Sequence, residues 1–179
     1  MLEDIIETHS KMIRTGLIGY GRWGTKLHAS LSKITDIQFV CSSDDDYRNY
    51  LNEADWIVVA TPNKTHYSIV KECLLAGKNV FCEKPLTFSV KEAVELYSLA
   101  DKHHVKLYVS DIQNFRISKF PVKKINFVKR TKMSSASIRD ILFNLTYHDI
   151  YTLYNHIFDS SIKSVKVLDK KETLNFILE

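Results

Sequence analysis

The stretch Ile13-Arg14-Thr15-Gly16-Leu17-Ile18-Gly19-Tyr20-Gly21-Arg22-Trp23-Gly24 decides the fold. A short apolar run (Ile13, Leu17, Ile18) leads into Gly19-x-Gly21-x-x-Gly24, and a helix-compatible run follows to Ser32. Strand, glycine turn and helix in that order make a dinucleotide-binding βαβ unit. Gly19 lets the chain turn sharply off the strand, and Gly21 removes a side chain where a pyrophosphate must approach the backbone. Gly24 lets the helix pack closely against the strand. The helix N-terminus then offers unpaired N–H groups and a positive dipole end to the phosphates. Tyr20, Arg22 and Trp23, set between the glycines, belong to the same candidate cofactor site.

Working outward, strand and helix patterns alternate. Strands are expected over 15–19, 37–41, 56–60, 79–82 and 106–110, with helices over 23–32, 66–76 and 89–103. Near-continuous apolar runs such as Trp56-Ile57-Val58-Val59-Ala60 suit a parallel sheet covered on both faces. Gly77 stands where a C-terminal helix cap belongs, and Ser89 with Glu92 three residues on reads as a capping box. Between 41 and 56 there is room for one short turn-rich helix around 47–52, so that crossover is abbreviated. The fold class is α/β, a Rossmann-type doubly wound parallel sheet over 1–118 with an extra N-terminal helix over 2–12. A small α+β appendage is expected over 119–179: a strand over 122–132, one or two helices over 137–158, and a hairpin from 162–168 and 173–178.

Composition narrows the function classes. With 45% hydrophobic residues the 179-residue chain can bury a core, and 5 Gly with 3 Pro argue against extended disorder. No apolar run approaches the ~18 residues of a membrane span, so no membrane partner is expected. The first residues, MLEDIIETHSKM, are acidic and lack the basic-then-apolar pattern of a signal peptide, which makes the cytoplasm the default location. Cys41, Cys73 and Cys82 fit no close-paired metal spacing and read as buried, reduced thiols, so no metal is expected. Lys119, Lys123, Lys124, Lys129, Arg130 and Lys132 form a run without an acidic residue. It reads as the solvated face of a strand or as a site for an anionic substrate. No recognition motif accompanies it, and nucleic acid is not expected as a partner.

Two further stretches fall at strand exits. Thr61-Pro62-Asn63-Lys64-Thr65-His66 follows the third strand and Glu83-Lys84-Pro85 follows the fourth, at the edge where open α/β sheets bind ligands. Ser42 ends the second strand, followed by Ser43, Asp44, Asp45 and Asp46. An acidic residue there would bond the adenosine ribose of NAD, whereas serines helped by Arg48 would accept the 2′-phosphate of NADP. Both cofactors stay open on the sequence.

Taken together, Gly19-x-Gly21-x-x-Gly24, Thr61-Pro62-Asn63-x-x-His66 and Glu83-Lys84-Pro85 resemble the glucose–fructose oxidoreductase/inositol dehydrogenase (Gfo/Idh/MocA) family over about residues 13–116. A weaker match lies at Leu145-Thr146-Tyr147-His148-Asp149-Ile150, similar to that family's histidine-bearing helix. The resemblance implies hydride transfer between NAD or NADP and a carbon bearing a hydroxyl in a sugar, sugar derivative or polyol. It implies catalytic roles for Lys84, at the substrate hydroxyl and in a cis bond to Pro85, and for His148 as acid/base. Thr61, Pro62, Asn63, His66, Glu83 and Lys84 would line the cofactor site with Ser42 and the glycine loop. Such chemistry is sensible: oxidising an alcohol releases a proton with the hydride, so a group titrating near neutrality belongs beside the oxygen.

The chain also departs from the family pattern. Asn144 stands four residues before His148, where the family often has aspartate, and an amide cannot stabilise an imidazolium by charge. Only 31 residues follow His148, whereas the family's C-terminal domain is usually a large open sheet, so a truncated substrate domain is expected. The alternative function is therefore a degenerate member, a dinucleotide-binding sensor or partner subunit without turnover. A small sheet leaves an unpaired edge, and the family commonly uses that sheet as its subunit contact. A homodimer or tetramer through it follows.

Overall fold

The computed structural model describes residues 12–111 and the backbone of 165–169 and 175–178. The chain divides into two compact units, Met1–Ser110 and Asp111–Glu179.

In the first unit, β1 (Arg14–Ile18), β2 (Asp36–Cys41), β3 (Trp56–Val59), β4 (Asn79–Cys82) and β5 (Leu107–Val109) form one sheet in the order β2-β1-β3-β4-β5. Every pairing is parallel. Parallel neighbours need crossovers, which α1 (Arg22–Leu31), α2 (His66–Leu75) and α3 (Val90–Lys102) supply. The strand order reverses beside β1, so the β1/β3 crevice at the C-terminal ends of the strands is the place for a ligand. Between β2 and β3 the crossover is a single 3₁₀ helix, Tyr47–Glu53, as the short interval predicted.

The core follows from alternation along the strands. Ile18, Ile57, Val59, Val80 and Cys82 point into one cluster with Leu51 of the 3₁₀ helix, Val70 and Leu74 of α2 and Leu96 of α3. Leu17 and Val58, their neighbours in sequence, are buried outside that cluster. In α1 the less exposed positions Gly24, Leu27, His28 and Leu31 form one stripe at helical spacing. A sheet buried on both faces explains why β3 reads as an unbroken apolar run.

Gly77 (φ +70°) ends α2, its N–H donating to Leu74 O at 2.9 Å while Lys78 N–H donates to Cys73 O at 3.0 Å. That is the paired closure of a Schellman cap, and it takes up two orphan carbonyls. The capping box expected at Ser89 does not form: the Ser89 side chain makes no cap hydrogen bond. Thr87 supplies the local order instead, its hydroxyl donating to Ser89 O at 2.6 Å and accepting from Ser89 N–H at 3.1 Å.

In the second unit, β6 (Val165–Asp169) and β7 (Asn175–Leu178) pair antiparallel as the expected hairpin, with β6 running one residue past the expected 162–168. The N-terminal helix expected over 2–12, the strand over 122–132, the helices over 137–158 and the basic run from Lys119 lie outside the described residues, residue 12 excepted.

Candidate functional site

The glycine turn is built by two close approaches and one opening. Gly19 has φ +102°, and a Cβ there would sit 2.7 Å from the Ala60 carbonyl. Both the backbone conformation and the neighbouring strand exit therefore demand glycine. A Cβ on Gly24 would lie 1.8 Å from Gly19 O, so the first turn of α1 rests directly on the turn off β1. Gly21 is different: a Cβ there would meet nothing within 4 Å. It is the N-cap of α1 and lends no side chain to the helix N–H groups, and no acidic residue stands in the first turn. The ten-residue helix therefore starts without a side-chain cap, beside the open space at Gly21, an arrangement suited to a pyrophosphate. Tyr20, Arg22 and Trp23 are exposed around this opening; Trp23 takes the Lys26 ammonium over its ring at 5.4 Å.

The exits of β3 and β4 are tied together by one side chain. His66 is fully buried, with Nδ1 2.8 Å from Pro85 O and Nε2 2.8 Å from Thr61 O. Both ring nitrogens thus face carbonyl oxygens of the two loops, and a neutral imidazole donates its one N–H to one of them. His66, expected near the cofactor, is packed between the exits of β3 and β4. Thr65 N–H and hydroxyl both donate to Pro62 O, at 2.9 and 2.8 Å, and the Thr61 and Thr65 hydroxyl oxygens lie 2.8 Å apart. Thr61 and Asn63 are partly exposed and Pro62 is exposed on this loop. Glu83 N–H donates to Val59 O at 2.9 Å and prolongs the sheet past β4, with the Glu83 side chain buried. Lys84 follows, partly exposed, joined to Pro85 by the cis bond that the resemblance implied. Asn144 and His148 lie outside the described residues.

The exit of β2 is closed by the chain itself. Ser42 donates its N–H to Asp45 Oδ2 at 2.7 Å and its hydroxyl to the same oxygen at 2.8 Å. The backbone amide first, then the hydroxyl, hold the Asp45 carboxyl below the usual carboxylate range. Arg48 is held between this loop and α2: Nη1 pairs with Asp46 at 3.0 Å, and Nε and Nη2 lie 2.7 and 2.9 Å from Glu72. Tyr47 also donates to Glu72, at 2.7 Å. Burial acts to raise the Glu72 carboxyl, but the guanidinium and the phenol outweigh it and hold it low. Ser42, expected as a cofactor contact, gives both its N–H and its hydroxyl proton to Asp45.

A parallel sheet with an open glycine turn at its switch point defines a dinucleotide-binding Rossmann unit. Residues 32–111 match the model of the Gfo/Idh/MocA family, described as "Oxidoreductase family, NAD-binding Rossmann fold". Uncharacterized oxidoreductase YrbE of Bacillus subtilis (strain 168) is 34% identical over 128 residues, 59% of this chain and 37% of YrbE. The scyllo-inositol 2-dehydrogenase (NADP(+)) IolW of the same organism is 26% identical over 161 residues, 79% of this chain and 42% of IolW. UDP-N-acetylglucosamine 3-dehydrogenase GnnA from Acidithiobacillus ferrooxidans shares the fold at TM-score 0.71 and 22% identity, over 90% of this chain and 61% of that one. The chain thus spans only about two-fifths of these curated relatives, at 37% and 42% of their lengths. Among the described residues no helix is long and apolar enough to cross a membrane, and no group of three or more His, Cys, Asp or Glu could hold a metal ion.

Proposed function

We propose that this chain carries the cofactor-holding half of an NAD- or NADP-dependent dehydrogenase that oxidises a CH–OH carbon of a sugar, sugar derivative or polyol. The observation that carries this reading is the open, uncapped turn at Gly21 beside the β3 and β4 exits that His66 locks together. The substrate class draws on the relatives: IolW is by name an inositol dehydrogenase and GnnA a nucleotide-sugar dehydrogenase.

A bound nicotinamide ring supplies the hydride acceptor. Lys84 then holds positive charge at the substrate oxygen as it becomes an alkoxide, and His148 takes the hydroxyl proton, which completes the balance for alcohol to carbonyl. Asn144 favours the rival reading of dinucleotide binding without turnover. Reduced-cofactor fluorescence tests binding, and sugar- or polyol-dependent absorbance at the reduced nicotinamide band tests turnover. Lys84→Ala should lower turnover ~10²-fold or more with binding retained. Near-normal turnover in that variant would remove Lys84 from the chemistry, and cofactor binding without turnover on any sugar would leave the rival.

Two further proposals accompany this one. Cytoplasmic placement is supported by Cys41, Cys73 and Cys82, all free and buried; burial pushes the Cys73 thiol up to about 12, so it stays protonated. Assembly as a homodimer or tetramer through the C-terminal unit is proposed from the family's common use of its C-terminal sheet as a subunit contact. Light scattering showing a monodisperse monomer would remove the shared assembly.

A further inference from the structure

We infer that the loop after β2 selects NAD over NADP, because Ser42 already gives the donors that would grip a 2′-phosphate to Asp45, a carboxylate of the chain itself; the assignment rests on the dinucleotide reading above. In doubly wound sheets the pyrophosphate lies at the first glycine turn and the adenosine ribose at the end of β2. The two cofactors differ there by one substituent. A ribose hydroxyl donates to a carboxylate, whereas a phosphate monoester brings about −1.5 to −2 of charge and only acceptors at neutral pH.

Ser42 is the first residue past β2. Its N–H and O–H converge on Asp45 Oδ2 at 2.7 and 2.8 Å, a compact pair of charge-assisted bonds. That convergence is an anion cradle with an anion in it. A 2′-phosphate arriving at Ser42 must displace Asp45 and then lie against the displaced carboxylate. Arg48, the cation nearest in sequence, is already paired: it bridges Asp46 and Glu72, and Glu72 also receives the Tyr47 hydroxyl. Drawing Arg48 across to a phosphate would leave Glu72 without its guanidinium. A ribose hydroxyl meets the opposite situation. A carboxylate accepts about four hydrogen bonds, and Asp45, exposed and spending two on Ser42, keeps capacity for one more.

The test is a fluorescence titration of the full chain with NADH and with NADPH, repeated on Asp45→Asn. The parent should bind NADH roughly tenfold or more tightly than NADPH. Asp45→Asn keeps the size of the side chain, removes its charge and lies on an exposed loop, so it should fold; it should narrow the gap about tenfold, chiefly by improving NADPH. Equal affinity in the parent would overturn the assignment and hand the 2′ position to another group, such as Arg22. An unchanged ratio in Asp45→Asn would overturn it equally. Failure of the parent to bind either cofactor would overturn the dinucleotide reading along with the selectivity built on it. That result is distinct from equal binding, which leaves the dinucleotide reading standing.

Discussion

The loops after β1 and β2 leave the same edge of the same sheet, yet they treat their donors in opposite ways. After β1, Gly21 caps α1 without a side chain, and a Cβ there would meet nothing within 4 Å. After β2, Ser42 folds both its donors onto Asp45. One loop keeps its amides open to an anion and the other fills them with an anion of its own. Adjacent strand exits can thus serve the two ends of one dinucleotide with contrary electrostatics. The pyrophosphate end needs positive potential, and the ribose end needs an acceptor.

The largest effects should come from breaking the β1 side. Gly24→Ala places a Cβ against the backbone oxygen of Gly19, which has no flexible end to swing away, and should cost at least about 3 kcal/mol on denaturation. Gly21→Val should cost about 1 kcal/mol or less, since φ is −79° and the space is empty, yet remove measurable dinucleotide binding. Calorimetric titration alongside chemical denaturation separates the two glycines. A Gly21→Val variant that binds like the parent would place the cofactor elsewhere and end the contrast between the loops.

His66 asks whether the open turn depends on its neighbours. His66→Ala removes the ring between Thr61 O and Pro85 O, leaves a buried carbonyl short of its donor, and should cost roughly 1–3 kcal/mol. His66→Gln can still donate to one loop and should recover part of that loss. If the imidazole only positions, cofactor affinity should fall with the order of the loops and be restored in part by glutamine. A variant of parental stability with abolished binding would instead make His66 a direct contact.

Local chemistry was legible where it stood close in sequence. The β1–glycine–α1 order, the apolar run of β3 and the Schellman cap at Gly77 each declare themselves within a few residues, and each stands in the structure. What escaped depends on partners brought together by register. Gly16 looks like a spacer in a strand, but a Cβ there would come 2.1 Å from the ring of Phe39 across the β1–β2 pair. His66 reads as a motif residue facing a ligand, and only the fold shows Pro85 behind it. Arg48 sits near Ser42 in sequence, but α2 brings Glu72 to it and takes the guanidinium away. The failed box at Ser89 is a shorter-range miss, in which Thr87 competes for the same backbone.

The smallest effect distinguishes the loops by acid. Ser42 holds the Asp45 carboxyl below its ordinary range, so the unfolded chain binds that proton more readily than the folded one. The stabilisation is therefore complete above the unfolded value of about 3.9 and is lost as pH falls through the lower folded value. Asp45 is fully exposed and the contribution is small, so a difference is the quantity to measure. Melting temperatures of the parent and Asp45→Asn should differ by a constant amount from neutrality down to about pH 4 and converge below it. Glu72 is depressed as well and titrates in both proteins alike, so it cancels from the comparison. The β1 loop has no acidic residue in the first turn of α1, and the offset between Gly21→Val and the parent should stay flat over the same range. A parent–Asp45→Asn offset that persisted unchanged to about pH 2, well below the ordinary aspartate value, would show that the Asp45 charge does nothing for Ser42. The two loops would then differ in shape and no longer in electrostatics.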